Sequence, residues 1–237
     1  EVINLSKSYK TKKAVNNISF KIDENEIVGL LGPNGCGKTT TIGMILGLLK
    51  PTSGQVLING KNIENNKISI LHKMNFISPY IELPKKLTVK QNLIVYGKLY
   101  NIKNLSERIN FLSEKLRLGD LLDKITGELS SGQKNRVSLA KALINDPTVL
   151  LLDEPTAALD PETADFIRTF LEKLREEKKI SVLLASHNMD EVKRLCNSVM
   201  MMKDGNIVDG GTSEDLIEKY GQKNLEEVFL KIVRKNK

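Results

Sequence analysis

Residues 32–39 read Gly32-Pro33-Asn34-Gly35-Cys36-Gly37-Lys38-Thr39, two glycines five apart followed by Lys and Thr. Glycine lets the backbone wrap closely around an anion, and a helix start aims unpaired N–H groups and a positive dipole end at it. That pattern suits a phosphate chain. Lys38 is expected to neutralise the outer phosphates as a point charge, Thr39 to offer its hydroxyl to a magnesium ion, and Thr40 to sit by an inner phosphate. The flanks agree: an apolar run, Ile27 to Leu31, precedes the loop, and a helix-like run from Lys38 reads through Met44, Ile45, Leu48 and Leu49. A phosphate loop names the ligand and leaves the work open, because small-molecule kinases, GTPases, helicases and transport ATPases share it.

Two acids follow a second apolar run, Val149 to Leu152. An uninterrupted run of this kind fits a strand buried on both faces of a parallel sheet, with ligands bound at its carboxyl end. Asp153 is then placed to hold magnesium through its water shell, and Glu154 to orient or deprotonate an attacking water. A third run, Ser181 to Ala185, ends at His187 before an amphipathic helix. A histidine there can reach a terminal phosphate as donor or polar sensor, although taken alone it reads more readily as a surface or capping residue. His72 has no such placement and reads as a helix-surface residue.

The stretch GELSSGQKNRVSLA, residues 127–140, puts Ser130, Ser131, Gly132 and Gln133 before a helix-like run without acid, base or metal ligand. With GPNGCGKTT, LLLDEP, the ALD of residues 158–160 and His187, it occurs in the order and spacing of the ABC ATPase domain, which the chain resembles over essentially its whole length. The resemblance implies that two such domains pair head to tail. Each ATP then lies between the phosphate loop of one and the signature turn, Ser130 to Gln133, of the other. It implies that Asp160 lies in a loop crossing that interface and that Tyr9 stacks on adenine, where a surface tyrosine on an edge strand is the plain alternative. One motif departs from the pattern: Ser78 and Pro79 stand where the family usually has glutamine, and Gln91 lies too far along. Ser78 is shorter, and it reaches the magnesium shell only through water.

The elements that must position these residues follow from length and patterning. At 237 residues and 40% hydrophobic, the chain can bury a large α/β core plus a subdomain. Strand signals, with Asn59-Gly60 and Asp204-Gly205 turns, mark residues 1–84 and 146–212 as the nucleotide-binding core. Residues 85–145 read as helical, Val89 to Tyr100, Ser106 to Leu118 and the signature helix, and residues 213–237 as a helical tail with Leu225, Val228, Phe229, Ile232 and Val233 at helical spacing. The expected fold is α/β: a P-loop NTPase core, a mixed sheet flanked by helices, with an N-terminal antiparallel β part and an inserted α-helical subdomain.

No run reaches membrane-spanning length, no secretory signal is visible, and two cysteines make no disulfide framework. These features favour a cytosolic, peripheral protein. The net charge of +7 is scattered and aromatics are only 5%, so nucleic acid, which calls for a concentrated basic face, is not an expected partner. A solvated surface with affinity for anionic lipid heads is the better reading. A lone ATPase domain without long arms or a second copy fits a transporter subunit. Its expected partners are a second ATPase subunit and separate integral membrane subunits, and ATP and Mg2+ its cofactors. The SPYIELP loop and the NLEEVFLKIV ending look exporter-like. A soluble ABC ATPase of translation or repair is the alternative, and it would show paired domains or inserted arms.

Overall fold

The computed structural model describes residues 1–10, 12–79 and 81–234. Strands β1 (Val2–Tyr9), β2 (Lys12–Phe20), β4 (Ser53–Ile58) and β5 (Lys61–Asn62) form an antiparallel sheet in the order β2-β1-β4-β5. Strands β3 (Ile27–Leu31), β6 (Met74–Ile77), β7 (Val149–Asp153), β8 (Ser181–Ala185), β9 (Ser198–Lys203) and β10 (Asn206–Gly211) form a second sheet in the order β10-β9-β3-β8-β7-β6. Only β10 runs antiparallel there. Asn59 and Gly60 (φ 49° and 74°) turn β4 into β5, and Asp204 and Gly205 (φ 46° and 79°) turn β9 into β10. Two-residue hairpin turns demand positive φ at both positions, which Asn, Asp and Gly accept most readily.

The apolar strands serve two cores because successive side chains point to opposite faces. Leu150, Leu152, Val182 and Leu184 face one core, which they share with Leu93, Leu112, Val137, Leu139 and Ile167. Leu151, Leu183 and Ala185 face the other, with Val28, Leu30, Ile42, Met44 and residues of the antiparallel sheet. Each fully buried Leu contributes about 1.5–3 kcal/mol relative to exposure.

The helices are α1 (Lys38–Ile45), α2 (Lys67–Leu71), α3 (Val89–Leu99), α4 (Leu105–Lys115), α5 (Ser131–Leu143), α6 (Pro161–Glu177), α7 (Met189–Leu195), α8 (Ser213–Tyr220) and α9 (Leu225–Arg234). The first is shorter than its apolar run: Gly47 turns left-handed (φ 62°), the Leu48 and Leu49 N–H groups both donate to the Gly43 carbonyl, and Leu48 is exposed. The run expected from Ser106 to Leu118 spans Leu105–Lys115, because Arg117 adopts φ 52°. Gln91 is the N3 residue of α3 and closes a capping box with Thr88, so its amide holds a helix start. Leu225, Val228 and Ile232 of α9 pack against Leu31, Val199, Met201 and Leu216, which docks the tail onto the sheet. His72 is exposed at the end of α2, edge-on to Tyr100.

Polar bonds supplement the apolar core where the helices of residues 85–145 meet the sheet. The Lys141 ammonium donates to the Phe76 carbonyl (3.2 Å) and Asn75 Oδ1 (3.4 Å), and burial pulls its pKa down to about 8. Asn145 donates to the His72 carbonyl at 2.9 Å.

Candidate functional site

Parallel register brings the chemistry together. Leu30 pairs with Ala185 and Ala185 with Asp153, so the carboxyl ends of β3, β8 and β7 are level. The residues that follow, Gly32, Ser186 and Glu154, therefore leave the sheet side by side, at the edge where parallel sheets bind ligands.

The phosphate loop is held by its neighbours. A Cβ on Gly32 would lie 2.4 Å from the Met202 carbonyl oxygen, and one on Gly37, at φ 117°, 2.5 Å from that of Ala14, so both positions exclude a side chain. The Gly205 N–H donates to the Cys36 carbonyl at 2.9 Å, tying the loop to the β9–β10 turn. Gly37 starts α1 without any side-chain cap, which leaves its first N–H groups to whatever occupies the loop. Lys38 is buried, its ammonium donating to the carbonyls of Gly32 (2.6 Å) and Pro33 (3.3 Å). Tyr9, Ala14, Asn34, Gly35, Thr39 and Thr40 help line a cavity of about 290 Å3 that also borders Lys38, Asp153 and Glu154. Tyr9 is 47% exposed at the end of β1, an inner strand of its sheet rather than an edge.

Asp153 is 3% exposed, and its Oδ2 has no hydrogen-bond partner. Burial, reinforced by the Glu154 charge, pushes its carboxyl above the usual range, while Lys38 and the Thr39 hydroxyl pull the other way. A buried carboxylate oxygen left over beside a hydroxyl suits a hard cation. Among the described residues no group of three or more His, Cys, Asp or Glu side chains gathers to hold a metal. Thr39 and Asp153 alone suit magnesium, which takes few protein ligands beside waters and phosphate oxygens.

Glu154 sits at φ 52° and its N–H donates to the Ala185 carbonyl at 2.8 Å. Its Oε1 lies 2.6 Å from Nδ1 of His187, whose ring is 68% exposed. The capping role considered for His187 belongs to its neighbour: Asn188 Oδ1 accepts the N–H groups of Asp190 and Glu191.

The signature turn lines a different recess. Ser131, Ser78, Pro79 and Ala158 border a cavity of about 230 Å3 that, among the described residues, shares with the first only Glu154. Ser130 and Gln133 close a capping box, the Ser130 hydroxyl accepting the Gln133 N–H and the Gln133 amide accepting the Ser130 N–H. Gly132 is buried against Thr163, whereas Ser130 and Ser131 are both exposed, Ser131 lying outside the capping box. Ser78 is buried in this recess and does not line the cavity of Thr39 and Asp153. Its neighbour Tyr80, part of the exporter-like SPYIELP stretch, lies outside the described residues. Asp160 caps α6, accepting the Thr163 N–H at 2.9 Å, and that bond holds its carboxyl below the usual range.

Sequence reasoning passed over Glu191, which is buried between Thr156 and Ser186. Its signal was an acid four residues before Leu195, on the apolar face of α7.

The family model for the ABC transporter matches residues 15–157. The chain is 35% identical over 229 residues to the ABC transporter ATP-binding protein NatA of Bacillus subtilis (strain 168), covering 95% of this chain and 93% of that protein. It is 38% identical to the methionine import ATP-binding protein MetN of Latilactobacillus sakei, covering 88% of this chain and 62% of that protein. It is 36% identical to the Nod factor export ATP-binding protein I of Burkholderia orbicola, covering 91% and 71%. Among solved structures, an ATP binding subunit of an ABC transporter superposes with a TM-score of 0.89 at 26% identity over 98% of both chains. The dimeric post-hydrolysis cassette MJ0796 bound to ADP and Pi does so with a TM-score of 0.81 at 27% identity, covering 89% of this chain and 97% of that one.

Proposed function

Since this chain belongs to the ABC transporter family as an ATP-binding, ATP-hydrolysing subunit, we propose that two copies, or this chain and a close relative, clasp each ATP between them. The observation that carries this reading is the division of polar groups between two surfaces. The phosphate loop, Asp153 and Glu154 line one recess, with His187 reaching Glu154 from the side, and the exposed helix start at Ser131 opens on a second recess that shares Glu154. A second copy brings that positive helix end to the terminal phosphate for the same reason that α1 favours the inner ones.

In this scheme the loop N–H groups from Gly35 to Thr40 cradle the phosphates, with Pro33, Asn34 and Cys36 shaping the turn. Lys38 swings from the loop carbonyls to the outer phosphate oxygens. Tyr9 offers its exposed ring to the base. Thr39 and Asp153 hold magnesium, which when bound draws off charge from the phosphate oxygens. Glu154 takes the proton of the attacking water as its oxygen bonds to the terminal phosphorus and the bond to the bridging oxygen breaks. His187, 2.6 Å from Glu154, holds that carboxylate in place before ATP enters and turns its N–H to the terminal phosphate when ATP binds. Asp160 holds the start of α6 at the interface.

Among the described residues no helix is long and apolar enough to cross a membrane. On the pattern of relatives named for transport, the movement driven by dimer closure is delivered to integral membrane subunits, with this chain peripheral on the cytoplasmic face. Relatives named for import and for export are similarly identical. We favour export, on the SPYIELP and NLEEVFLKIV segments.

The test is dimerisation by sedimentation. Glu154→Gln with MgATP is expected to accumulate a closed dimer, and Ser131→Glu added to it to return the protein to monomer. The added carboxylate satisfies its own helix dipole and repels the partner-bound phosphate. A Glu154→Gln protein that stays monomeric, or a dimer indifferent to Ser131→Glu, rejects the reading.

A further inference from the structure

Glu191 is 1% exposed, although it lies in the first turn of α7 beside the exposed Asp190. Its two carboxylate oxygens are divided between two loops. Oε1 accepts the Thr156 hydroxyl at 2.7 Å, and Oε2 accepts the Ser186 hydroxyl at 2.6 Å. Thr156 lies two residues after Glu154, and Ser186 immediately precedes His187. The Ser186 oxygen also accepts the Asn188 N–H at 3.1 Å, so His187 is bracketed on both sides by one hydroxyl.

We infer that Glu191 is a positioning residue for ATP hydrolysis: a single buried carboxylate that ties the loop carrying Glu154 to the loop carrying His187 and so sets their contact. Three physical points carry this. First, taking a carboxylate out of water costs several kcal/mol, and an apolar residue of similar volume would hold two loops more cheaply if holding were all that was needed. Among side chains, an ionised carboxylate accepts hydroxyl hydrogens through both oxygens at once, which joins two donors on separate loops. Second, the carboxylate is anchored from behind, because Val192 and Leu195 of the same short helix are buried in the cores on either side. Burial pushes the Glu191 carboxyl up, while the Ser186 and Thr156 hydroxyls and the Arg168 charge on α6 pull it down. Third, Glu154 needs holding. Its φ of 52° is a conformation that a non-glycine residue keeps only where its surroundings impose it. Its N–H is pinned to Ala185 on β8, and the Thr156 bond pins the other side of the turn to α7. The 2.6 Å contact between Glu154 and His187 then depends on two loops leaving adjacent strands at a constant offset.

The inference rests on the roles proposed above for Glu154 and His187, so Glu154→Gln is run as a parallel control. ATP turnover of the full chain is measured for Thr156→Val, Ser186→Ala, the double variant, Glu191→Ala and Glu191→Gln. Affinity for a fluorescent ADP analogue is measured alongside. Each single hydroxyl deletion is expected to lower kcat about tenfold while KM and ADP affinity hold within about twofold, because a small misplacement of reacting groups is costly and the phosphate loop is untouched. The double variant falls no further than either single one, since opening either end releases the bridge. Glu191→Gln, which can still bond both hydroxyls, restores most of the turnover lost in Glu191→Ala. Full turnover in the single variants, or losses that multiply in the double variant, overturns the bridge. If Glu154→Gln itself keeps its turnover, the reading of the site fails instead, and the two failures are told apart by that one control.

Discussion

Helix α1 begins at Gly37 with φ 117° and no side-chain cap, whereas α5 begins at Ser130 with a complete capping box. Both starts lack an acidic residue in the first turn, so neither neutralises its own dipole. They differ in what is left unsatisfied. At α1 the polar groups have no side-chain counterpart: N–H groups without a side-chain cap, a lysine folded back on loop carbonyls, and an Asp153 oxygen buried without a bond. At α5 the box satisfies the Ser130 and Gln133 N–H groups internally, and the exposed Ser131 lies outside it. The contrast teaches that one helix start is organised by the ligand and the other before it arrives. A surface that must meet a ligand carried by another molecule has to be rigid in advance, because ordering it on contact would weaken the encounter.

The largest expected effect breaks the α1 side. Lys38→Ala removes a cation whose hydrogen bonds to phosphate are worth about 1.5–3 kcal/mol, so ATP affinity in equilibrium binding should fall roughly tenfold to a hundredfold. The fold should persist, since the loop is held by Gly205 and Thr41 contacts that do not involve the lysine side chain.

A smaller effect of opposite sign sharpens the contrast. Asp153→Asn should raise the stability of the nucleotide-free protein at neutral pH by about 1 kcal/mol, because it removes a buried charge one of whose oxygens has no hydrogen-bond partner. The sign follows from the raised carboxyl. A folded-state pKa above the unfolded value of about 3.9 gives stability that is present below that value and lost as pH rises through the folded one. The advantage of the Asn variant in thermal melts should therefore grow from about pH 4 upward and vanish at lower pH, and adding MgATP should reverse the order of the two proteins. Equal melting at every pH would remove Asp153 from the comparison.

The smallest effect tests the α5 side. Ser130→Ala should cost about 1 kcal/mol and lower the melting temperature by roughly 2–4 °C, the usual consequence of losing an N-cap in a protein of this size. Nucleotide affinity of the single chain should be unaffected. If instead Ser130→Ala leaves stability unchanged, the start of α5 is not preorganised by its box.

How much of this was legible in the residues varies with the physics. Ile27 to Leu31 and Ser181 to Ala185 are strands to the residue, and Val149 to Leu152 is extended only by Asp153, because strands buried on both faces leave no choice of polarity. The phosphate loop and the two hairpin turns were legible because close backbone approach and positive φ restrict residue type at single positions. The end of α1 was not, since Leu48 and Leu49 continue an apolar pattern and only the backbone bonds to Gly43 show the helix closing early. Gln91 was read as lying inside a helix, and the capping box it closes required seeing Thr88 one residue before that helix. Glu191 was invisible as a functional residue, because an acid in the first turn of a helix is ordinarily solvated and favourable there.

Taken alone, the chain of residues determined the local devices: where the backbone wraps an anion, which runs are strands buried on both faces, which dipeptides reverse direction. Those depend on φ, ψ and side-chain size at one place, which the residue type itself dictates. Only the tertiary structure decided the parallel register that levels Leu30, Ala185 and Asp153, the 2.6 Å approach of His187 to Glu154, and the passage of one buried carboxylate between Thr156 and Ser186. These join residues that are distant along the chain, and their distances are set by how strands and helices pack rather than by any local preference.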